Sequence, residues 1–258
     1  MEASNLSPFG RELRHWRRVR GVSQLDLALE AATTSRHVSF LETGRSRPGA
    51  EMVDRLGEAL AVPLRERNLL MEAAGLRPRI AETPLGAPAM GPFRESLTRL
   101  LSQHAPFPAM VIDRHFDVVE ANEPARAMLG PGPDTINVVE LTYAGAWRET
   151  IVNWEQVAWD GMKRIREAQV RHPSDARIAE LAELITKAVA ELSSPPDLNS
   201  EPVLCPHFRF GDQVIRTLSV TAHFGSTRDV TLEELQAELI YPRDEVAERF
   251  FREGPPTP

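Results

Sequence analysis

The sequence predicts two domains of different class: an all-α head of five short helices over 1–75, and an α+β body over 93–258 built on an antiparallel sheet. Three observations predict this. Through the first 75 positions apolar residues recur at three- and four-residue steps in short runs, most bounded by a capping residue or a glycine. The next stretch, 76–92, carries Pro78, Pro84, Pro88 and Pro92 with Gly86 and Gly91, a composition that sustains neither helix nor strand and reads as a linker. Beyond it, strand-like runs pair around Asp113-Arg114-His115 and around Gly211-Asp212, two hairpins framing helical segments.

Length and composition allow this division. A chain of 258 residues can bury two separate cores, and 42% hydrophobic with 26% charged residues is ordinary for a globular protein. No apolar run approaches a membrane span, and the N-terminus lacks the basic-then-apolar order of a signal peptide, so a cytoplasmic protein without a membrane partner is expected. Cys205 is the single cysteine, which excludes an intramolecular disulfide. The net charge of −7 is unevenly spread: residues 1–79 hold 13 Arg against 10 acidic residues, and the rest is acidic. A weakly basic head on an acidic body fits a protein that touches phosphates with one end. Arg abundance alone carries little, because Lys163 and Lys187 are the only lysines and the bias extends along the whole chain.

In the head, Ser7 and Pro8 open a first helix to Arg20 with Phe9, Leu13 and Trp16 on its buried stripe. Ser23 caps a second helix, with Asp26 reaching back in the manner of a capping box. It stops near Ala31-Ala32, and Thr33-Thr34 start a third helix that ends at Gly44. A fourth carries Met52, Val53, Leu56 and Leu60 inward, and a fifth covers about Leu64 to Ala74.

The second and third helices form a helix-turn-helix. Val38 and Leu41 face inward, leaving Ser35, Arg36, His37 and Ser39 outward at the start of the third helix, the part that enters a major groove. Arg can fork onto guanine, and Ser and His can donate or accept at base edges. Thr34 and Thr43 at the ends of that helix, Gln24 at the start of the second, and Arg45 and Arg47 beyond Gly44 are candidates for backbone or base contacts. A surface helix pair with ordinary polar residues is the alternative. The residues SQ-x2-LA, then TT-SRH-V-S-F-L-E-x-G-R-x-x-P, resemble the Xre/Cro-type (lambda-repressor-like) domain, and Ser23, Gln24, Leu27-Ala28, Val38, Leu41, Glu42, Gly44 and Pro48 carry the likeness. One departure is Ala32, where that turn usually has Gly. A left-handed Ala there costs on the order of 1 kcal/mol.

In the body a short helix over Phe93–Gln103 precedes strands at Ala109–Ile112 and Phe116–Glu120. Glu123–Leu129 is helical, closed by the Gly-Pro-Gly-Pro of 130–133, and Asn122 reads as its cap. Trp147, Ile151, Trp154, Ala158, Gly161 and Ile165 mark one long helix over about 146–170. Ile178 to Leu192 marks another, capped by Ser174 and ended before Pro195-Pro196. Cys205–Phe210 and Gln213–Phe224 form the second hairpin, Leu232–Tyr241 is open between helix and strand, and a short helix follows Pro242. This suggests an antiparallel sheet with helices on one side. The runs PFPAMVIDRHFDVVEAN (106–122), Asn153-Trp154 and FGSTRDV (224–230) onward to Asp244 resemble the MmyB-like ligand-binding domain that follows an Xre-type head in bacterial regulators. That resemblance implies a PAS-like sensor body, a homodimer, a strand for Leu232–Tyr241 and, for at least some members, a fatty-acyl-type ligand.

Alternation along Gln213–Phe224 places Val214, Leu218, Val220, Ala222 and Phe224 on one face, with Arg216 among them. A cation on an apolar face needs a partner: a ligand carboxylate on the functional reading, an acidic side chain or a solvated edge on the structural one. Phe107, Met128, Trp147, Trp154, Phe208 and Phe210 are candidates for cavity walls or plain core, and Asn153 and His223 for polar contacts. No HExxH, GxSxG or phosphate-binding glycine loop occurs, and Cys205 with His207 is too little for a metal site, so no catalytic residue, metal or cofactor is expected. The reading is a homodimeric transcriptional regulator on a pseudo-palindromic double-stranded operator, its body sensing a small apolar ligand. A dimerisation or docking body, and a small enzyme domain, are the alternatives.

Overall fold

The computed structural model describes residues 7–131, 135–192 and 203–253. They form two compact units. The first holds the described residues up to Thr83 together with Thr227–Glu233, and the second Pro84–Ser226 and Glu234 onward.

The first unit has five helices in its N-terminal stretch among the described residues: α1 (Pro8–Val19), α2 (Gln24–Glu30), α3 (Ser35–Glu42), α4 (Ala50–Ala59) and α5 (Leu64–Ala73). Each of the first three starts at a residue that can accept from free amides. Ser7 Oγ accepts from Gly10 N at 3.0 Å, Ser23 Oγ from Asp26 N at 3.1 Å and Thr34 Oγ1 from His37 N at 3.1 Å. Leu13, Trp16, Leu27, Val38, Leu41 and Leu56 meet in one core. The turn between α2 and α3 closes as a left-handed stop: Ala32 has φ +48° and Thr33 N donates to Ala28 O at 2.8 Å. Ala32→Gly should therefore stabilise this unit by about 1 kcal/mol in chemical denaturation, since the Cβ is strained there. A null or negative change would place the strain elsewhere.

Residues 76–83, read above as linker, are hydrogen-bonded within this unit. The Asn68 side chain holds the backbone of Arg79 and Ile80, and the Thr83 hydroxyl donates to Asp229 at 2.6 Å. Glu233 accepts from Leu64 N at 2.7 Å, capping α5.

The second unit is built on a five-stranded antiparallel sheet, counted among the described residues: β1 (Ala109–Ile112), β2 (Val118–Ala121), β3 (His207–Phe210), β4 (Gln213–His223) and β5 (Gln236–Pro242), in the order β2-β1-β5-β4-β3. Its helices are α6 (Gly91–His104), α7 (Glu123–Leu129), α8 (Val138–Tyr143), α9 (Trp147–Thr150), α10 (Trp154–Arg171), α11 (Ala176–Ala190) and α13 (Glu245–Glu253). A short α12 (Val230–Glu234) precedes β5, so the ambiguous 232–241 run is a helical end followed by a strand. Register fixes the faces. Ser219 pairs with Ile240, and Thr221 and Met110 pair with Glu238, putting these side chains on the face towards α8–α11. Leu239 and Tyr241 point to the other face, where α6 brings His104 onto Tyr241 and Phe93 onto Phe224. Helices therefore cover both faces of the sheet, not one.

Other expectations are corrected. The predicted helix over 146–170 is two, because Ile151 turns extended and bridges to Phe208, and α10 restarts at Trp154. Helix α8 lay in a stretch with too few apolar repeats to reveal it. The cap of α11 is Asp175 rather than Ser174: its carboxylate accepts from the amides of Arg177 and Ile178. Asn122 caps α7 as expected, and its amide also donates to Leu101 O and Phe107 O. The Gly132-Pro133 stop and the Pro195-Pro196 stop lie outside the described residues.

Candidate functional site

Two places carry chemistry, one in each unit. On the first, α3 presents exposed Ser35 and Arg36, with half-buried His37 and Ser39 beside them. The Arg36 guanidinium lies 5.2 Å from the centre of the Phe40 ring, and that of Arg45 lies 5.8 Å from the same ring. Arg36, Arg45 and Arg47 have no carboxylate partner among the described residues, which leaves their charge for an external anion. His37 Nδ1 sits 2.9 Å from Thr33 Oγ1, and the Thr43 hydroxyl donates to Ser39 O at 2.8 Å. Thr34 is engaged as the α3 cap. The expected residues are thus gathered around one helix, with Thr34 and Thr43 tied to the backbone.

Gln24 has a role that the sequence reading did not foresee. Its side-chain amide donates to Glu42 Oε2 at 2.8 Å, leaving one amide hydrogen for a phosphate. Glu42 is fully buried and also receives Arg17 Nε at 2.6 Å, Arg17 Nη2 at 3.1 Å and Arg14 Nε at 3.4 Å. Burial pushes its carboxyl up, but the bonds from Arg17 and Gln24, the Arg17 charge and the Arg14 bond together hold it below the ordinary range. Glu42 thereby ties the C-terminal end of α3 to α1 and α2. The spacing of Arg14 and Arg17 on one side of α1 is the signal that could have found this. Gly10 lets the helices meet, since a Cβ there would lie 2.4 Å from Glu42 O.

In the second unit a cavity of about 140 Å³ lies between the sheet and α7–α11. Met110, Ile112, Phe208 and Ile240 wall it from the sheet, and Met128, Trp147, Tyr143 and Ile165 from the helices. Trp147 is fixed by its indole N–H donating to Met128 O at 3.2 Å, and Tyr143 Oη donates to Val157 O at 3.2 Å. Burial, with the charge of Asp160 added, raises the Tyr143 hydroxyl well above its ordinary pKa, so it stays protonated. Gly161 makes the room Tyr143 occupies: a Cβ there would fall 1.6 Å from Tyr143 Oη. A second, apolar cavity of about 290 Å³ lies under Phe250 and Phe251 of α13, and Met128 and Phe208 line both.

Of the expected residues, Met128, Trp147 and Phe208 line the first cavity, and the others are elsewhere. Arg216 is exposed and pairs with Asp244 at 3.2 Å, because even-numbered β4 residues point away from the cavity. The cavity takes the odd-numbered, hydroxyl-bearing face, with Thr217 and Ser219 in its lining. Asn153 bridges Cys205 O and His207 N, fixing the start of β3 against α10. Trp154 stacks edge-on to Tyr143 under Arg148, Phe107 packs on Phe251, and His223 sits exposed at the end of β4. Phe210 lines the second cavity and Phe208 both.

Asp113, His115 and Asp117 come close enough to suggest a cation, with ligand atoms within 4.8 Å of one another. Their atoms already serve the turn, though: Asp113 accepts the amides of His115 and Asp117, Asp117 accepts from Asn137, and His115 Nε2 meets Asp175 at 2.9 Å. No helix among the described residues is long and apolar enough to cross a membrane.

Comparison with known families matches each of the two stretches that hold these places. Residues 93–253 match the family described as the MmyB-like transcription regulator ligand binding domain, and residues 8–70 match a helix-turn-helix domain. No curated protein matches the chain.

Proposed function

Since the chain belongs to the MmyB-like transcription regulator family, we propose that it is a homodimeric, sequence-specific regulator whose body cavity takes a small apolar ligand. The observation that supports this most is Arg36, with no carboxylate partner among the described residues, on the exposed start of α3, a helix whose far end is tied to α1 by the Glu42–Arg17 bond. Two such helices in a dimer fit half-sites roughly 34 Å apart, one turn of the duplex. Ligand in the cavity would act by binding one arrangement of the dimer more tightly than another. The protein would do this in the cytoplasm, beside the chromosome.

An operator selected from random duplex DNA by the full chain provides the test. Arg36→Ala should lose discrimination by about 1–3 kcal/mol while keeping weak, salt-sensitive binding to any duplex. Equal weakening on selected and random DNA would make Arg36 a phosphate contact. For the body, denaturing extraction of freshly purified protein followed by mass spectrometry should release a small apolar compound. Repeated absence of any compound would favour a body that only dimerises or docks.

A further inference from the structure

One aromatic side chain of α3 serves cations rather than the core. Phe40 is half-buried, and among the described residues it stands outside the apolar core of the first unit. Its ring carries two guanidinium groups: Arg36, one turn earlier on α3, lies over it at 5.2 Å, and Arg45, beyond the helix, at 5.8 Å. Local chemistry places both. A helical side chain leans over the turn before it, so residue 40 meets residue 36. The helix then stops at Gly44, φ +74°, and the chain folds back, with Arg45 N donating to Phe40 O at 2.8 Å and Gly44 N to Leu41 O at 3.2 Å. In such a stop the residue after the glycine packs on the one five positions before it, commonly as an apolar pair. Here the pair is Arg45 on Phe40. Both arginines are exposed, and neither has a carboxylate partner among the described residues. Two like charges sharing one ring repel each other, a cost that an electronegative partner offsets.

We propose that Phe40 is a positioning residue for DNA: its ring holds Arg36 in the conformation that forks onto a guanine and Arg45 in the one that meets a neighbouring phosphate. The inference rests on the reading of α3 as the helix that enters the major groove, and adds which side chain orders its cations. An arginine free in solvent loses rotamer freedom when it binds, and one already held on a ring has lost part of it beforehand. Guanine offers two acceptors on its major-groove edge, which match the guanidinium fork. A phosphate takes the charge without reading sequence. Phe40 therefore acts on specificity through Arg36 and on general affinity through Arg45. An exposed contact of this kind is worth about two- to fivefold in an equilibrium, so two copies in the proposed dimer multiply to at least about fourfold.

Fluorescence anisotropy of the full chain on an operator selected from random duplex, against unselected duplex and over a range of salt, reads the effect. Phe40→Leu and, as a second variant, Phe40→Met keep the apolar bulk and remove the aromatic face. Each should lower the operator-to-random preference at least about fourfold, with the salt slope kept, because no cation is lost. Phe40→Tyr keeps the face and should stay within about twofold of the wild type. Matching circular dichroism spectra show that the helices are kept. In an Arg36→Ala background, Phe40→Leu should change the preference by less than about twofold. A preference unmoved by Phe40→Leu and Phe40→Met, or one lost equally in Phe40→Tyr, would overturn the positioning role. A full further loss in the Arg36→Ala background would overturn it too, and make the ring a direct base contact. Failure of the wild type to select any operator would instead overturn the DNA reading of α3 itself.

Discussion

Glu42→Ala should destabilise the helical unit by about 3–5 kcal/mol, the usual result of removing one partner from a buried ion pair. The carboxylate is fully buried, and its loss leaves Arg14, Arg17 and Gln24 pointing at an empty space. Urea denaturation of the full chain, followed by a probe in this unit such as Trp16 fluorescence, measures it. Loss of operator binding should follow even at denaturant concentrations where the wild type is folded, because α3 is anchored to α1 through this group. A change under about 1 kcal/mol would show that the apolar contacts of Val38 and Leu41 hold α3 unaided.

The same carboxyl predicts an acid dependence of fixed sign. Its pKa in the fold lies below the ordinary 4.5. The stability it contributes is therefore present above 4.5 and is lost as pH falls through the lower, folded value. Glu42→Gln, which titrates nowhere in this range, should flatten that part of the stability profile for this unit. A profile identical to that of the wild type would assign the acid sensitivity to other carboxylates, Asp175 first among them. There, burial is outweighed by the bonds from His115, Ile178 and Arg114, and the pKa sits well below the usual range.

Gly161→Ala should disrupt the second unit around Tyr143. The added carbon would overlap Tyr143 Oη, so the buried ring must leave its place against Trp154 and give up its bond to Val157 O. Overpacking of this kind costs about 1–3 kcal/mol. The displaced ring would also enter the cavity, and ligand binding should weaken more than tenfold. Tyr143→Phe in the same chain should recover part of the stability, a coupling that a double-mutant cycle measures. Additive effects would mean that the helix moves instead of the ring.

Much of the fold was legible because the signals were local. Ser7, Ser23 and Thr34 cap helices within three residues of themselves, and the strand at Ala109–Ile112 is a short β-rich run beside a turn. What failed depended on distant partners. The alternation of β4 correctly separated two faces, but which face meets the cavity is decided by its pairing with β5, and of the two readings left open for Arg216 the structure shows the pair with an acidic side chain, Asp244. The apolar period through 146–170 survived the break at Ile151 because a short extended step can keep apolar residues inward while the helix stops. Gln24 looked like a free surface amide because its partner, Glu42, lies 18 positions on. Arg164 and Glu238 carried no pattern at all, being joined only across α10 and β5.

The first unit is discontinuous along the chain, and that sets a timetable. Its five helices leave the ribosome early, yet Asp229, which accepts from Thr83, follows 146 positions later. At about 5–20 residues per second of synthesis, the nascent unit waits roughly seven to thirty seconds for its last segment. Over that interval the amide of Leu64 lacks Glu233, and the backbone at Ala81 lacks the bond from Val230. Limited proteolysis of stalled ribosome complexes should find residues 76–83 open to cleavage until Glu233 has emerged, and protected afterwards.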